Sequence, residues 1–425
     1  MARDVYTEDK VLESVKAEII TIGNEILAGW TLNTNAHWIA QQCNDIGLTV
    51  QWMTTIADTE EEIKAAINTA SSRARVTLCT GGLGPTPDDI TKKTIASYFE
   101  SDLVLDEVVL NHVLKIFEGR NMRMPEINRN QALVPEIAQI IPNPVGTAPG
   151  LLIEKDDRLF FFMPGVPKEM KMMIESSILS LIKSKFQLPD FKTYLLRTTG
   201  IAESRLYERL ESTLDMYKDI PVSFLPKITG VDIKFRIDKK SPDLLKRSEH
   251  FRDALKKNVN KYIYAEEDIE LQERIGTLLR KNNLTLAVAE SFTGGLISDW
   301  LTDVPGSSEY FLGSVISYSN ESKVRDLGVS LATLKNFGAV SEQVVLEMVT
   351  GVQKLFRSDC AVASTGIAGP GGATDKKPVG LCFLSSVYKN KTFVKEFNFG
   401  PNRRINKERG AIAALESLRR LMLDI

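Results

Sequence analysis

The chain has 425 residues, 43% hydrophobic, 25% charged and 8% aromatic. That length implies about three domains at roughly 150 residues each, and the composition excludes a disordered chain, a collagen-like fibre and a coiled coil. Lys and Arg number 53 against 55 Asp and Glu, a net charge of −2, so the chain as a whole carries no electrostatic footprint for nucleic acid or membrane.

Residues 1–15, MARDVYTEDKVLESV, are charged and have no apolar h-region, so they read as a polar leader rather than a signal peptide. No run of about 18 apolar residues predicts a transmembrane helix. From Lys16 the pattern alternates. AEIITIG, LTVQWMTTI and VTLCTGG read as strands. TNAHWIAQQCNDIG, TEEEIKAAINTASSR and DDITKKTIASYFE read as helices, and FFFM reads as a fourth buried strand. This order implies a parallel sheet covered by helices over residues 16–170. Residues 171–265 form a small α+β module, with strands TYLLRTTG and VDIKFRID and helices AESRLYERLESTLDMY and SPDLLKRSEHFRDALKKNV. Its stretch 171–262 is basic, with 19 Lys and Arg against 12 Asp and Glu. Residues 266–425 return to α/β alternation, with an antiparallel strand pair at PVGLCFLSSVYKN and KTFVKEFNFG and a closing helix at NKERGAIAALESLRRLML.

Four cysteines, Cys43, Cys79, Cys360 and Cys382, sit singly in apolar runs without a C-x-x-C pair. They are expected as reduced core thiols of a cytoplasmic protein. The three histidines are His37, His112 and His250, so the C-terminal 175 residues contain none. A Ser-His-Asp triad or a histidine zinc site within that stretch is excluded unless another domain or subunit supplies the imidazole.

The densest motif is CTGGLGPTPDDIT. A buried strand is expected to end at Thr80, with Gly81, Gly82 and Gly84 letting the backbone approach a ligand ahead of a helix N-terminus suited to an anion. The spacing is neither a P-loop nor a G-x-G-x-x-G fingerprint. Asp88 and Asp89 admit two accounts. Thr86 as N-cap, Pro87 at N1 and Asp89 at N3 make a capping arrangement; alternatively the carboxylates, joined by Glu25 at a neighbouring strand end, hold a divalent ion bridging phosphates. Asn33 and Asn35 fit helix caps.

In the last domain, AESFTGG places Ser291 between a strand and a helix, with Gly294 and Gly295 beside it. Ser291 reads as an N-cap, or as a nucleophile with backbone amides for an oxyanion hole. A nucleophile needs a base, and without histidine a lysine of depressed pKa is the remaining common choice. SYSNESK offers Tyr318 and Lys323 after the next strand, expected at the same sheet edge. STGIAGPGG adds Thr365 and a further Gly-rich loop, and Arg403 is a candidate phosphate partner.

GNEILAGWTLNTNA, TGGLGPTPDDIT, NPVGTAPG and MPGVPKEM resemble, in order and spacing, the motifs of the CinA (competence/damage-inducible) family. AESFTGG, YSNESK and TGIAGPGG resemble that family's C-terminal domain. The resemblance implies two α/β units with mainly parallel sheets, the first similar to molybdopterin-binding proteins of the MoaB/MogA type, joined by a KH-like module. For the last domain it implies hydrolysis of nicotinamide mononucleotide (NMN) to nicotinic acid mononucleotide and ammonia without a cofactor. Ser291 would attack, Lys323 with Tyr318 would move the proton, and Thr293, Gly294, Gly295, Asn320, Thr365, Gly366, Gly369 and Arg403 would bind substrate. For the first domain it implies metal-dependent ADP-ribose pyrophosphatase activity. Gly81, Gly82, Gly84, Asn35, Gly146, Pro164 and Gly165 would hold nucleotide. Asp88, Asp89 and Glu25 would hold Mg²⁺, Mn²⁺ or Co²⁺, with K⁺ as a further candidate. A homodimer is the family expectation.

Three positions depart from the family pattern: Asn24 stands where Asp is usual, Asn402 replaces an Asp, and Lys407 stands in place of a second Arg. In the middle module, LPKITGV has only Gly230 and lacks a G-x-x-G loop, so an interdomain or dimer-forming role is expected there rather than nucleic-acid binding. The rival readings are a pterin- or nucleotide-binding protein without turnover and an accessory factor in DNA uptake or repair.

Overall fold

The inner strands of the first unit are apolar on both faces, and both faces are covered. In the computed structural model, which describes residues 15–86 and 89–425, Ile19 and Phe161 point into one core and Ile20, Phe160 and Phe162 into the other. This is the period-two alternation of a strand buried on both sides. The sheet order is Thr49–Ile56, Lys16–Ile22, Val76–Thr80, Arg158–Met163, Gly150–Lys155, Gln139–Ile141. The first four strands are parallel and the last two antiparallel. Helix Thr34–Asp45 packs on one face through Ile39 and Cys43. Helix Glu60–Arg73, capped by Thr59, packs on the other through Ile63 and Ile67.

Two features differ from expectation. Helix Pro167–Met173 runs on through a π turn and helix Leu179–Lys185. Met170, Met173, Ile174, Ile178 and Ile182 lie in the first unit's core. The first unit therefore continues to Phe191, and the expected start of the middle module at residue 171 falls inside it. Further, the helix read from Asp88 begins at Thr91. Residues 1–14 of the expected leader lie outside the described residues, as do Pro87 and Asp88.

The second unit holds the middle module and the last domain. The module's sheet runs Val222–Lys227, Gly230–Asp238, Phe191–Thr198, Ile263–Ala265. Helices Glu203–Met216 and Pro242–Val259 cover it through Leu206, Leu210, Phe251 and Leu255. Arg197, 1% exposed, ties the module to the start of the last domain through Asp268, Glu270 and the Ile269 carbonyl.

The last domain's sheet order is Phe311–Ile316, Leu286–Glu290, Cys360–Gly366, Leu381–Tyr388, Lys391–Asn398. Its first three strands are parallel and the final pair is antiparallel. Leu286 and Val288 face helices Leu271–Lys281 and Arg403–Leu423. Ala287 and Ala289 face helix Glu342–Phe356, whose Val345, Met348, Val349 and Val352 fill the opposite core. The three parallel strands deliver their carboxyl ends to one edge, where ligands of open α/β sheets bind. The four cysteines are buried and free. No helix among the described residues is long and apolar enough to cross a membrane.

Candidate functional site

Ser291 follows directly on Leu286–Glu290, the middle one of the three parallel strands. Gly294 (φ 59°) and Gly295 (φ 94°) then turn the chain through left-handed backbone into helix Leu296–Thr302. Glu290 holds this turn. It is fully buried and accepts from the amides of Gly295, Ile297 and Ser298 at 2.9, 3.1 and 2.9 Å, and from the Ser298 hydroxyl. A carboxylate seated on the first turn of a helix satisfies its orphan amides and complements its dipole. The Ser291 amide donates to the Ser364 carbonyl of the adjacent strand.

The next strand ends at Ile316, and Ser319 and Ser322 then form a capping box for helix Asn320–Leu327. One turn in, Lys323 is 2% exposed and its Nζ donates to Ser291 Oγ at 3.1 Å and to the Ser317 carbonyl at 2.7 Å. Burial lowers the Lys323 pKa from 10.5 to about 8. Lys92 in the first unit is likewise lowered to about 8 by burial, but its Nζ meets the carbonyls of Asn130 and Gln131. Among the described residues only Lys323 combines the depressed pKa with a hydroxyl in reach, so the geometry singles it out.

Arg403 opens the final helix. Its Nη1 donates to the Gly369 carbonyl at 2.6 Å and its Nη2 to the Tyr318 hydroxyl at 3.0 Å. Tyr318 is 65% exposed, and its hydroxyl is engaged by Arg403 rather than by Ser291 or Lys323. Lys407, one turn further along, brings Nζ within 3.4 Å of the place a Cβ on Gly294 would occupy. Asn402 caps the helix, accepting from the Ile405 amide; Asn does this as well as Asp, which accounts for one departure from the family pattern. Asn320 is exposed at the start of its helix.

Two expected substrate hydroxyls are already committed. Thr365 Oγ1 donates to the Ala339 carbonyl, and buried Thr293 shares a hydrogen bond with Ser364. Asn406, buried, donates to the carbonyls of Ala368 and Gly400 and so anchors the Gly366–Gly372 loop to the final helix. Glu290 and Asn406 leave little mark in the sequence because all but one of their partners, the Ser298 hydroxyl, are backbone atoms. The one available signal was an acid at the end of an apolar strand, immediately before Ser291.

In the first unit Gly81 (φ 125°) ends its strand beside Gly165, where an added Cβ would lie 3.5 Å from the Gly81 Cα. Asn35 bridges the two loops, its Nδ2 donating to the Gly165 carbonyl at 2.8 Å and to Thr80 Oγ1. Thr80 Oγ1 donates to the Pro164 carbonyl. Asn35 Oδ1 is buried without a partner. Asn33, not Asn35, caps the helix. Gly146 is packed under Glu169, in a network where Asn143 bonds Glu169 and the Gly146 amide and His112 meets the Gly146 carbonyl.

The divalent ion implied by the resemblance needs Asp88, Asp89 and Glu25 together. Asp88 lies outside the described residues. Asp89 accepts from both the amide and the hydroxyl of Thr86 in a turn upstream of the helix, which the Thr86 cap was expected to start. Glu25 lies over Gly23. Among the described residues no group of three or more His, Cys, Asp or Glu side chains is placed to hold a metal ion. With Asp88 outside them, the described residues do not complete the set, and no chemistry is assigned to it.

Three family models match the chain: "CinA C-terminal domain" over residues 268–422, "Probable molybdopterin binding domain" over 18–184 and "Damage-inducible protein CinA KH domain" over 193–265. A competence-damage inducible protein of Caldicellulosiruptor saccharolyticus is 40% identical over 96% of this chain and 99% of its own length. One of Clostridium beijerinckii is 37% identical over 96% and 100%. A solved structure of the competence/damage inducible protein CihA from Agrobacterium tumefaciens is 40% identical, covering 36% of this chain and 93% of its own, with a TM-score of 0.35.

Proposed function

The chain belongs to the CinA family, and from that premise we propose that its last domain is a serine amidohydrolase that deamidates NMN to nicotinic acid mononucleotide. The observation that carries the reading is the 3.1 Å contact between Ser291 Oγ and a buried Lys323 whose pKa is lowered to about 8.

Neutral Lys323 takes the hydroxyl proton as Ser291 Oγ attacks the carboxamide carbon. Negative charge then gathers on the amide oxygen. The amides of Phe292, Thr293 and Gly294 have no protein acceptor among the described residues, and they are the oxyanion donors. Lys323 returns its proton to the nitrogen, the C–N bond breaks and ammonia leaves. Water, deprotonated by the same lysine, cleaves the Ser291 ester. Arg403 and Lys407 receive the substrate phosphate at the mouth of the site, and Tyr318, held by Arg403, borders it. A lysine base answers the requirement set by a domain without histidine. Incubation with NMN, with ammonia and nicotinic acid mononucleotide quantified, tests the assignment: stoichiometric release of both supports it, and absence of both overturns it.

For the first unit the buried, unpartnered Oδ1 of Asn35 beside the Gly81 and Gly165 backbones supports a nucleotide or pterin ligand. ADP-ribose pyrophosphatase activity is the finer reading, tested by AMP release from ADP-ribose with Mg²⁺, Mn²⁺ or Co²⁺. AMP with any of the three supports hydrolysis. Binding without AMP supports the rival of a binding protein.

A further inference from the structure

A cavity of about 500 Å³ opens within the second unit where the middle module meets the last domain. None of the residues placed around Ser291 lines it. One wall is apolar and aromatic: the Phe397 and Phe399 rings stack at 5.4 Å and 18°, beside Ile412 and Ala413 of the final helix. The facing wall belongs to the module, from the turn at Gly200 and the hairpin carrying Lys227. The volume falls within the range of about 300–1,000 Å³ usual for small-molecule sites.

The charges around the cavity do not cancel. Lys227, Lys395, Arg409 and Arg420 line it, with Glu203 and Glu416. Glu416 is already committed, accepting from Arg419 through Nε and Nη2 and from Arg420 through Nε. Lys227 is paired with Asp232 at 2.6 Å. Lys395, Arg409 and the far end of Arg420 are left against Glu203. Arg420 Nη2 is buried and has no hydrogen-bond partner. It points across the cavity to the module, 2.9 Å from where a Cβ on Gly200 would sit. Lys395 Nζ lies over the Phe397 ring, 5.1 Å from its centroid. A guanidinium N–H kept from water without an acceptor is costly, and a ligand acceptor would satisfy it.

We infer that this cavity binds a small phosphate monoester with a planar aromatic body. The ring stacks on Phe397 and Phe399, and the phosphate meets Arg420 Nη2 with Lys395 and Arg409 at the rim. Left-handed Gly200 (φ 73°) keeps the module's turn clear of Arg420; any side chain there would meet the guanidinium.

Calorimetric titration of the full chain with naphthyl phosphate, naphthol and inorganic phosphate tests the site. Naphthyl phosphate is expected to bind saturably, and the other two about tenfold more weakly, since each lacks half of the recognition. Ala413→Phe, which fills the cavity, is expected to abolish this binding. Lys395→Gln, an exposed change on an edge strand, is expected to weaken it about threefold while leaving the thermal midpoint unchanged. Arg403→Ala, at the Ser291 site, is expected to leave it intact. No saturable binding to the wild type overturns the inference. So does binding that survives Ala413→Phe and Lys395→Gln but is lost in Arg403→Ala, which places the probe at the Ser291 site. Neither result touches the amidohydrolase reading, which is read by ammonia.

Discussion

Lys323→Met separates chemistry from stability. Lys323 is 2% exposed, and burial lowers its pKa from 10.5 to about 8. The fall corresponds to roughly 3 kcal/mol against the charged form. Because the folded value lies below the unfolded one, the penalty is present in full below pH 8 and fades as pH rises toward 10.5. Methionine removes it but leaves the Ser317 carbonyl, now bonded at 2.7 Å, without its donor, at about 1–3 kcal/mol. At pH 7 the variant is expected to be as stable as the wild type or up to about 2 kcal/mol more stable in denaturant unfolding. Ammonia release from NMN is expected to fall about 10²–10⁴-fold, the usual contribution of a general base. In the wild type the neutral fraction of Lys323 rises from about one-tenth at pH 7 to about nine-tenths at pH 9, so kcat/KM is expected to climb about tenfold across that window. A variant within about tenfold of wild-type activity, or a flat profile from pH 7 to 9, refutes the role of Lys323 as base.

The remaining predictions concern the groups around it. Glu290→Ala strips four donors of their acceptor and is expected to cost about 3–5 kcal/mol in denaturant unfolding; a loss under about 1 kcal/mol contradicts its place as anchor of the nucleophile turn. Lys407→Arg supplies the forked donor that the lysine lacks and is expected to lower KM for NMN several-fold with little change in kcat; an unchanged KM removes Lys407 from the phosphate site. Asn24→Asp restores the usual acid of the first domain and is expected to raise AMP release from ADP-ribose with added Mg²⁺, Mn²⁺ or Co²⁺. Equal rates in the two proteins would show that Asn24 does not limit the reaction.

What the sequence made legible was whatever its own residues announce. Strands covered on both faces show as apolar runs such as FFFM and LAVAE, and the glycines after them mark the ligand edge. Ser291 stands out between an apolar strand and two glycines, and the absence of histidine directs the search for its base to lysine. Helix Asn320–Leu327 was hidden, since its buried face amounts to Lys323 and Leu327 and its sequence reads as polar. The boundary at residue 171 misplaced a helix because Met170, Met173 and Ile178 show their purpose only against the sheet they pack on. Tyr318 could be brought to the site by strand order alone, but its pairing with Arg403, 85 positions along the chain, depends on the fold between them. Glu290 and Asn406 work mainly through backbone atoms, which leave no trace in residue identity.

The most direct measurement is ammonia release from NMN at pH 8 by the wild type and by Ser291→Ala, side by side, with matching thermal midpoints to show that both are folded. Turnover is expected in the wild type, with a loss of about 10³-fold or more in the variant. Equal rates in the two proteins would contradict a serine nucleophile and with it the amidohydrolase reading of the last domain.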